Sequence, residues 1–275
     1  MKTIKLSLLI VALLAVAGAQ AQKAGDTIVS LGWARINPNA SLSPTNSTGS
    51  STTIGSLAAP YQAGLLSALN ASAHGYVSTT ADTNASIFNG KLSGATADID
   101  NTNTVTFSIL RMITDDIGAE LTLGAPPKIN LNLTTPNGTT AAVPNAATAR
   151  ALTPAILGKY FFGKSNSEFR PYLGLGVTHA TFSNVSPNLS NSTVSALASV
   201  SASLSSSWAP VYNAGVIYNF DEKWSLNASV SYIPLKTNAV FVGPGASAAL
   251  LGNVTTTTTL KINPTDYIIR LGYKF

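Results

Sequence analysis

Apolar and polar residues alternate along eight segments of this chain. In the clearest segment, every second residue from Trp224 to Tyr232 is apolar, and the residues between are serine or asparagine. A β-strand sends successive side chains to opposite faces, so most segments have one apolar face and one small or polar face. The fourth is less regular, with Ile156, Tyr160 and Phe162 opposite Leu157, Lys159 and Phe161. The pattern therefore predicts eight strands: about Thr27–Asn37, about Thr102–Ile113, a third from Ile117 through Leu123, about Ala149–Phe162, a fifth through Leu173, Leu175 and Val177, about Trp208–Phe220, Trp224–Tyr232, and a last strand within Leu260–Phe275.

Short and long connections alternate strictly between these strands. The short ones are Thr114–Asp116, Gly163–Glu168 and Asp221–Lys223, and the long ones are about Pro38–Asn101, Thr134–Thr148, Ser183–Ser207 and Val242–Thr259. An even number of alternating strands of roughly ten residues, joined by short turns at one end and long loops at the other, is typical of outer-membrane barrels. The prediction is an all-β fold: an eight-stranded antiparallel up-and-down transmembrane β-barrel with long extracellular loops and both termini on the periplasmic side.

The first long loop, residues 38–101, is far longer than ordinary connections between strands. Within it, Tyr61–Ala73 has helical propensity, as does Val194–Leu204 in the third loop. The last strand is expected to close the ring by pairing with the first near Val29 and Trp33. Aromatic residues near strand ends on the apolar face fit interfacial girdles; they are Tyr160, Phe162, Tyr218, Trp224, Tyr267 and Tyr273.

The first 21 residues have the features of a signal peptide. Lys2 and Lys5 form a basic start, Leu6–Ala17 is an apolar run, and the small-x-small triplet ending at Ala21 is a cleavage site. The alternative, an uncleaved anchor, is disfavoured because the run is shorter than the roughly 20 residues that a membrane helix needs. We therefore expect residues 1–21 to be removed and residues 22–275 to form one barrel in the bacterial outer membrane.

Composition narrows the possible functions. Charged residues are 10% of the chain, against roughly 25% in soluble domains, and the net charge of +5 includes the two leader lysines. Without a basic cluster, nucleic acid is not expected as a partner. Cysteine is absent, and the two histidines, His74 and His179, have no neighbouring carboxylate or cysteine, so neither a metal site nor a cofactor is expected. Because no histidine faces inward to act as a base, the chain is not expected to be an enzyme.

The inward faces of the strands supply the candidate site. An eight-stranded barrel leaves room for its own side chains or one small ligand, so a wide aqueous pore is not expected. Candidates for a ligand pocket are the inward apolar residues Leu110, Met112, Leu157, Phe161, Tyr172 and Ile217. Candidates for a charged constriction are Glu120, Lys159, Arg270 and Asp266. Buried charges need partners, so these are expected to form ion pairs that act either as a constriction or as a purely structural plug.

Four runs, in order, carry a resemblance to a known family. They are Thr114-Asp115-Asp116-Ile117-Gly118-Ala119-Glu120-Leu121, Lys159-Tyr160-Phe161-Phe162-Gly163, Phe169-Arg170-Pro171-Tyr172-Leu173-Gly174-Leu175-Gly176 and Arg270-Leu271-Gly272-Tyr273-Lys274-Phe275. The chain resembles the OmpW family of small outer-membrane proteins, from which it departs in its outsized first loop. The resemblance implies an eight-stranded barrel with a narrow, largely hydrophobic lumen that takes up small hydrophobic molecules. It also implies that Tyr273 and Phe275 form the signal for the barrel-assembly machinery.

Two functions remain open at this stage. The first is a passive channel for small hydrophobic molecules, whose partners are outer-membrane lipids, those solutes and the assembly machinery. The second is a structural or adhesive surface protein whose barrel displays the first loop.

Overall fold

The computed structural model describes residues 22–42, 45–49, 90–92, 96–134, 142–191, 194–195, 198–243 and 254–275. The predicted signal peptide, the predicted helix at Tyr61–Ala73 and His74 lie outside these residues. The described residues form the strands β1 (Thr27–Asn37), β2 (Ala40–Leu42), β3 (Thr45–Gly49), β4 (Gly90–Leu92), β5 (Thr96–Ile99), β6 (Thr102–Met112), β7 (Ile117–Gly124), β8 (Lys128–Thr134), β9 (Ala142–Leu152), β10 (Ala155–Phe161), β11 (Phe169–Pro187), β12 (Ser201–Leu204), β13 (Ser207–Asn219), β14 (Trp224–Tyr232), β15 (Leu235–Gly243), β16 (Val254–Ile262) and β17 (Thr265–Lys274).

Eight of these strands close into an antiparallel barrel. They follow one another around the ring in the order β1, β6, β7, β10, β11, β13, β14 and β17, and β17 pairs back onto β1. The closing register sets Val29 opposite Tyr273 and Trp33 opposite Ile269, as the sequence predicts. Two of the predicted strands, β1 and β14, have the bounds that the alternation gave. We call the end with the three short connections the turn end, and the opposite end the loop end.

Prolines interrupt five of the strands at the loop end of the barrel. They lie between β1 and β2, β7 and β8, β9 and β10, β14 and β15, and β16 and β17; they are Pro38, Pro126 with Pro127, Pro154, Pro234 and Pro264. Proline has no N–H to donate to a β-ladder, so the ladders break where it occurs. The prediction of one continuous strand over Ala149–Phe162 is therefore wrong, because β9 ends at Leu152 and β10 begins at Ala155. The last barrel strand, β17, lies within the predicted stretch Leu260–Phe275. We call this set of prolines the proline collar.

Beyond the proline collar, much of what the sequence assigned to loops is β-structure. The upper part of β11 continues into a sheet with β9, β8 and β5, while β12, β15, β16, β3 and β4 form a second sheet in which β2 also pairs with β16. Several of these strands lack a clear apolar alternation: β16, for example, contains five consecutive threonines from Thr255. An exception is β8, in which Ile129, Leu131 and Leu133 alternate with asparagines. The predicted helix at Val194–Leu204 is partly wrong, because Val194, Ser195 and Ala198 are helical but Ser201–Leu204 is β12.

The outer surface of the barrel is an apolar belt. Leu31, Ile156 and Leu175 are each about 60% exposed (59%, 62% and 62%). A continuous apolar surface of this kind would be unfavourable in water and indicates contact with lipid. Aromatic rings pack edge to face at the turn end, where Trp224 and Tyr273 have centroids 5.0 Å apart, as expected of a girdle. Among the described residues, no helix is both long and apolar enough to cross a membrane.

Candidate functional site: the barrel lumen

An ion-pair cluster spans the middle of the lumen. Nζ of Lys159 on β10 donates to Oε2 of Glu120 on β7 at 2.7 Å, and Nη1 of Arg270 on β17 donates to Oε1 of Glu120 at 3.3 Å. The Thr122 hydroxyl donates to the same Oε1 at 2.8 Å. Arg270 also donates from Nε and Nη2 to the hydroxyl oxygen of Thr106, at 3.2 and 2.9 Å. Both carboxylate oxygens of Glu120 are thus engaged from three strands.

The path of Arg270 across the ring depends on a glycine. Gly32 on β1 is opposite Arg270 of β17 on one side and opposite Thr106 of β6 on the other. It therefore lies between the two residues whose side chains are hydrogen-bonded. A Cβ at Gly32 would collide with the Ile269 carbonyl and the Arg270 backbone, so the glycine permits the close approach of β1 and β17 at the base of the Arg270 side chain. Glu120, Lys159 and Arg270 are each no more than 4% exposed. Such buried charges are tolerated only when paired and hydrogen-bonded.

An apolar layer fills the lumen between the ion-pair cluster and the turn end. Its members, which we call the lower apolar cluster, are all at most 2% exposed; they are Ile28, Leu110, Met112, Phe161, Tyr172 and Ile217. Gly118 and Gly215 make room for this layer, since a Cβ at Gly215 would lie 2.6 Å from the Tyr172 hydroxyl oxygen. Nζ of Lys159 lies 4.3 Å from the Tyr172 ring centroid, so this ring touches both layers. The lower apolar cluster closes the barrel between its two ends.

A second polar network caps the lower apolar cluster at the turn end. Arg170 is fully buried and donates from Nη1 to the Gln22 carbonyl at 3.1 Å and from Nη2 to the Asp115 carbonyl at 2.8 Å and to Oδ1 of Asp116 at 3.2 Å. Nε2 of Gln22 donates to Oδ1 of Asn219 at 2.8 Å. The chain before β1 therefore enters the turn end and is bonded across it.

Toward the loop end, a cavity of about 60 Å³ adjoins the ion-pair cluster. Glu120, Arg270 and Thr106 border it on one side. The rest of its lining is mainly small or apolar, with Asn213, Ser231 and Asp266 as further polar members; it comprises Ala34, Ile36, Thr104, Thr122, Gly124, Thr153, Ala155, Leu157, Val211, Asn213, Ser231, Ile233, Asp266 and Ile268. Because one water molecule needs only about 10–15 Å³ of such space, the cavity can hold several waters or the end of a small organic molecule.

Beyond the cavity, apolar side chains of the barrel and of both upper sheets pack together. This upper apolar cluster has no charged member and several alanines; it comprises Ala97, Ile99, Ala155, Leu157, Ala180, Ala209, Val211, Ile233, Leu235, Leu260 and Ile262. Four of these residues, Ala155, Leu157, Val211 and Ile233, also line the cavity. The cavity thus lies between an apolar layer and a charged one.

The strand pairing in one seam of the barrel wall is interrupted beside the cavity. The ladder between β7 and β10 ends at the pair Thr122 and Ala155, and pairing resumes only at Lys128 and Arg150, on β8 and β9. The Pro127 carbonyl accepts a hydrogen bond from the Ala151 N–H at 3.2 Å in between. Thr122, Gly124, Thr153 and Ala155 border both the seam and the cavity. The interruption follows directly from the prolines of the collar at this position.

The structure distributes the predicted lumen residues among the lower apolar cluster, the cavity lining and the ion-pair cluster. Leu110, Met112, Phe161, Tyr172 and Ile217 form the lower apolar cluster and do not line the cavity, whereas Leu157 alone of the six apolar candidates does. Of the four charged candidates, Glu120, Lys159 and Arg270 form the expected ion pairs.

Asp266 stands apart from the other charged candidates. It lines the cavity but makes no ion pair with a residue of the described structure, and its Oδ1 is buried without a hydrogen-bond partner. Tyr273 and Phe275 lie outside the lumen: their ring centroids are 4.9 Å apart at the turn end, and Phe275 is 76% exposed. His179 packs against Trp208 on the outer surface, with ring centroids 4.6 Å apart.

Sequence reasoning missed the turn-end network. Arg170 has the same parity as Tyr172, so extending the alternation of β11 backwards would have placed it inward. Nothing in the sequence marks Gln22, whose burial depends on the fold of the whole turn end. Among the described residues, no group of three or more His, Asp or Glu residues is placed to hold a metal ion.

Curated relatives are outer-membrane proteins of Gram-negative bacteria. The chain is 33% identical over 164 residues to outer membrane protein W of Vibrio cholerae, covering 60% of this chain and 70% of that one. It is 27% identical over 186 residues to the outer membrane protein AlkL of Ectopseudomonas oleovorans, covering 68% and 71%. These matches place the chain among outer-membrane barrels.

Solved structures and a family model also match the chain to outer-membrane barrels. The crystal structure of the outer membrane protein OprG from Pseudomonas aeruginosa superposes with a TM-score of 0.68 and 25% identity over 94% of this chain and 99% of that one. The solid-state NMR structure of AlkL in lipid bilayers superposes with a TM-score of 0.54 at 18% identity, over 95% of both chains, and supports the fold alone. The family model described as the OmpW family matches residues 68–275, so the chain belongs to the OmpW family.

Proposed function

We propose that this barrel is a passive channel for small hydrophobic molecules in the outer membrane, with its turn end and both termini in the periplasm. The observation that carries the proposal is the position of the cavity, between the upper apolar cluster and the ion-pair cluster. A hydrophobic solute that enters from the loop end meets apolar side chains until it reaches the cavity, and it then meets buried charges. An apolar solute is stabilised along the first part of this route and not beyond it.

The straight route to the turn end is blocked. Below the ion-pair cluster, the lower apolar cluster and the Arg170 network each cross the lumen. Opening this route would require breaking ion pairs that are almost fully buried, which is strongly unfavourable. A solute in the cavity therefore leaves more easily through the side of the barrel than through its turn end.

The seam between β7 and β10 offers that sideways exit. Its border residues Thr122, Gly124, Thr153 and Ala155 are small, and the missing ladder bonds remove the backbone connection that elsewhere seals the wall. The adjoining outer surface is the apolar belt, so the solute passes from the cavity into lipid. The movement involves no catalysis and needs no cofactor, because the concentration gradient drives it.

Uptake into vesicles with a lipopolysaccharide outer leaflet tests the proposal. We expect the protein to accelerate entry of naphthalene over protein-free vesicles and to leave glucose entry unchanged. Ala155→Trp fills the cavity and should abolish the acceleration, whereas Ala214→Trp, on the exposed face of β13, should retain it. Heat-modifiable gel migration checks that both variants fold. Equal acceleration of both solutes, or naphthalene entry unaffected by Ala155→Trp, would exclude the proposed route.

A further inference from the structure

We infer that the cavity recognises a neutral hydrogen-bond donor at one end of the solute, so that the preferred ligand is an apolar molecule ending in a hydroxyl group. This inference rests on the proposed function and specifies the class of molecule that the channel takes.

Two acceptors in the cavity lack partners. Among the described residues, three buried side-chain polar atoms have no hydrogen bond, and two of them are Oδ1 of Asn213 and Oδ1 of Asp266. Both residues line the cavity, and Asn213 is buried, with a relative exposure of 7%. A buried acceptor without a partner is unfavourable, and a donor that reaches it removes that cost.

The strand register brings these two acceptors together. Asp266 on β17 is opposite Ser231 on β14, and Ser231 is opposite Asn213 on β13. The three residues therefore form one row along the cavity wall. Nδ2 of Asn213 donates to the Ser231 hydroxyl at 2.9 Å and to the Val230 carbonyl at 3.1 Å, which fixes the amide with its oxygen unused. The row presents acceptors, and a ligand that fits it supplies a donor.

The neighbouring ion-pair cluster does not supply that donor. Arg270 uses its nitrogens on Glu120 and Thr106, and Lys159 donates to Glu120. Taken together, the cavity lining and the adjoining ion-pair cluster carry two formal negative charges, on Glu120 and Asp266, and two positive ones, on Lys159 and Arg270. Because these charges balance, the cavity needs no counter-ion, and an anionic head would be repelled by the Asp266 carboxylate. The occupant that fits is therefore neutral.

The other lining residues set the orientation of the ligand. Leu157, Val211, Ile233 and Ile268 surround the space on the apolar side, and the first three continue into the upper apolar cluster. The hydroxyl group thus lies against the row of Asp266, and the hydrocarbon points toward the loop end. Water can also donate to the acceptors of this row, but a water molecule makes no apolar contacts with the hydrophobic residues on the other side of the cavity.

Two isomers of equal size distinguish donor recognition from simple apolar binding. The protein is placed in lipid nanodiscs with isotope-labelled Ile, Leu and Val methyl groups, and either 1-hexanol or 1-methoxypentane, which has no donor, is added. We expect the methyl resonances of Leu157, Val211, Ile233 and Ile268 to saturate with 1-hexanol at a roughly tenfold lower concentration, after correction for partition into protein-free nanodiscs. One hydrogen bond to a charged acceptor accounts for a ratio of this size.

Variants locate the effect. Asp266→Leu, alone or with Asn213→Leu, should bring the ratio between the isomers close to one while both still bind. Asp98→Leu, which removes an exposed carboxylate from β5, should keep the full ratio. Equal saturation by the two isomers in the unaltered protein, or an unchanged ratio in Asp266→Leu, overturns the donor inference and leaves the hydrophobic channel standing. If neither isomer shifts these resonances, the cavity is not a binding site and the proposed function fails with the inference.

Discussion

Replacing Glu120 with leucine should destabilise the barrel strongly. The change leaves the Lys159 ammonium and the Arg270 guanidinium, both 2% exposed, without their shared counter-charge. Removing one partner of a buried ion pair costs roughly 3–5 kcal/mol, because the other charge stays buried and unpaired. Two cations are stranded here, but Arg270 keeps its bonds to Thr106 and Lys159 its contact with the Tyr172 ring. We therefore expect a loss near the middle of that range, about 4 kcal/mol.

Urea unfolding in lipid vesicles, followed by tryptophan fluorescence, measures this loss. A matched control is Lys274→Gln, because Lys274 and Asp26 form a longer pair of 3.5 Å that is partly exposed at the turn end. Such a pair contributes about 0–1 kcal/mol, so the control should unfold close to the unaltered protein. A triple variant with leucine at Glu120 and methionine at Lys159 and Arg270 should recover most of the stability, since no charge is stranded. If Glu120→Leu unfolds at the same urea concentration as Lys274→Gln, solvent screens these charges and the structural argument is refuted.

Four further outcomes follow from the same structure. Arg170→Ala should open the turn-end network and raise ion conductance across planar bilayers several-fold; unchanged conductance would mean that the lower apolar cluster alone blocks ions. Gly215→Ala should reduce the fraction with folded gel migration, since overpacking costs roughly 1–3 kcal/mol. Gly158→Ala should fold normally, because a Cβ there would make only an ordinary contact with the Leu175 carbonyl oxygen, at 3.9 Å. Phe275→Ser should slow assembly in cells but not refolding in detergent; equal slowing in both would argue against a recognition signal. Deleting residues 50–89 should leave naphthalene uptake unchanged, and loss of surface adhesion alone would support the display function.

The lower half of the molecule was well predicted from the sequence, because its outer face meets an apolar environment. Each barrel strand must place apolar residues against lipid, so alternation is strong in β1, β13 and β14. The predicted bounds are those observed for β1 and β14 and differ by one residue at each end for β13. The same rule predicted the inward charges, since Glu120, Lys159 and Arg270 lie on the opposite face from the lipid-facing apolar residues of their strands. Their pairing was predictable from the cost of burying a charge alone.

The upper half was not predicted, because its strands are under a different constraint. β16 and β3 pair without an apolar face, so threonine and asparagine satisfy the strand geometry and the sequence resembles a loop. The proline collar gave a usable signal: Pro154 and Pro264 cannot donate to a ladder, and a break at each was predictable from chemistry alone. The location of the cavity was not predictable. Whether an inward residue such as Leu157 lines a cavity or belongs only to a packed layer depends on side chains from several strands at once.

The pairing of β1 with β17 also has a consequence for the time course of biogenesis. Val29 and Tyr273 are opposite each other in the ring although they lie near opposite ends of the chain, so the ring cannot close until the last strand has been synthesised. Until then, both edges carry unpaired N–H and C=O groups, which lipid does not tolerate. Insertion strand by strand would expose those edges to hydrocarbon at every stage. Closure and entry into the bilayer are therefore expected to occur together, as one concerted step that follows the synthesis of β17.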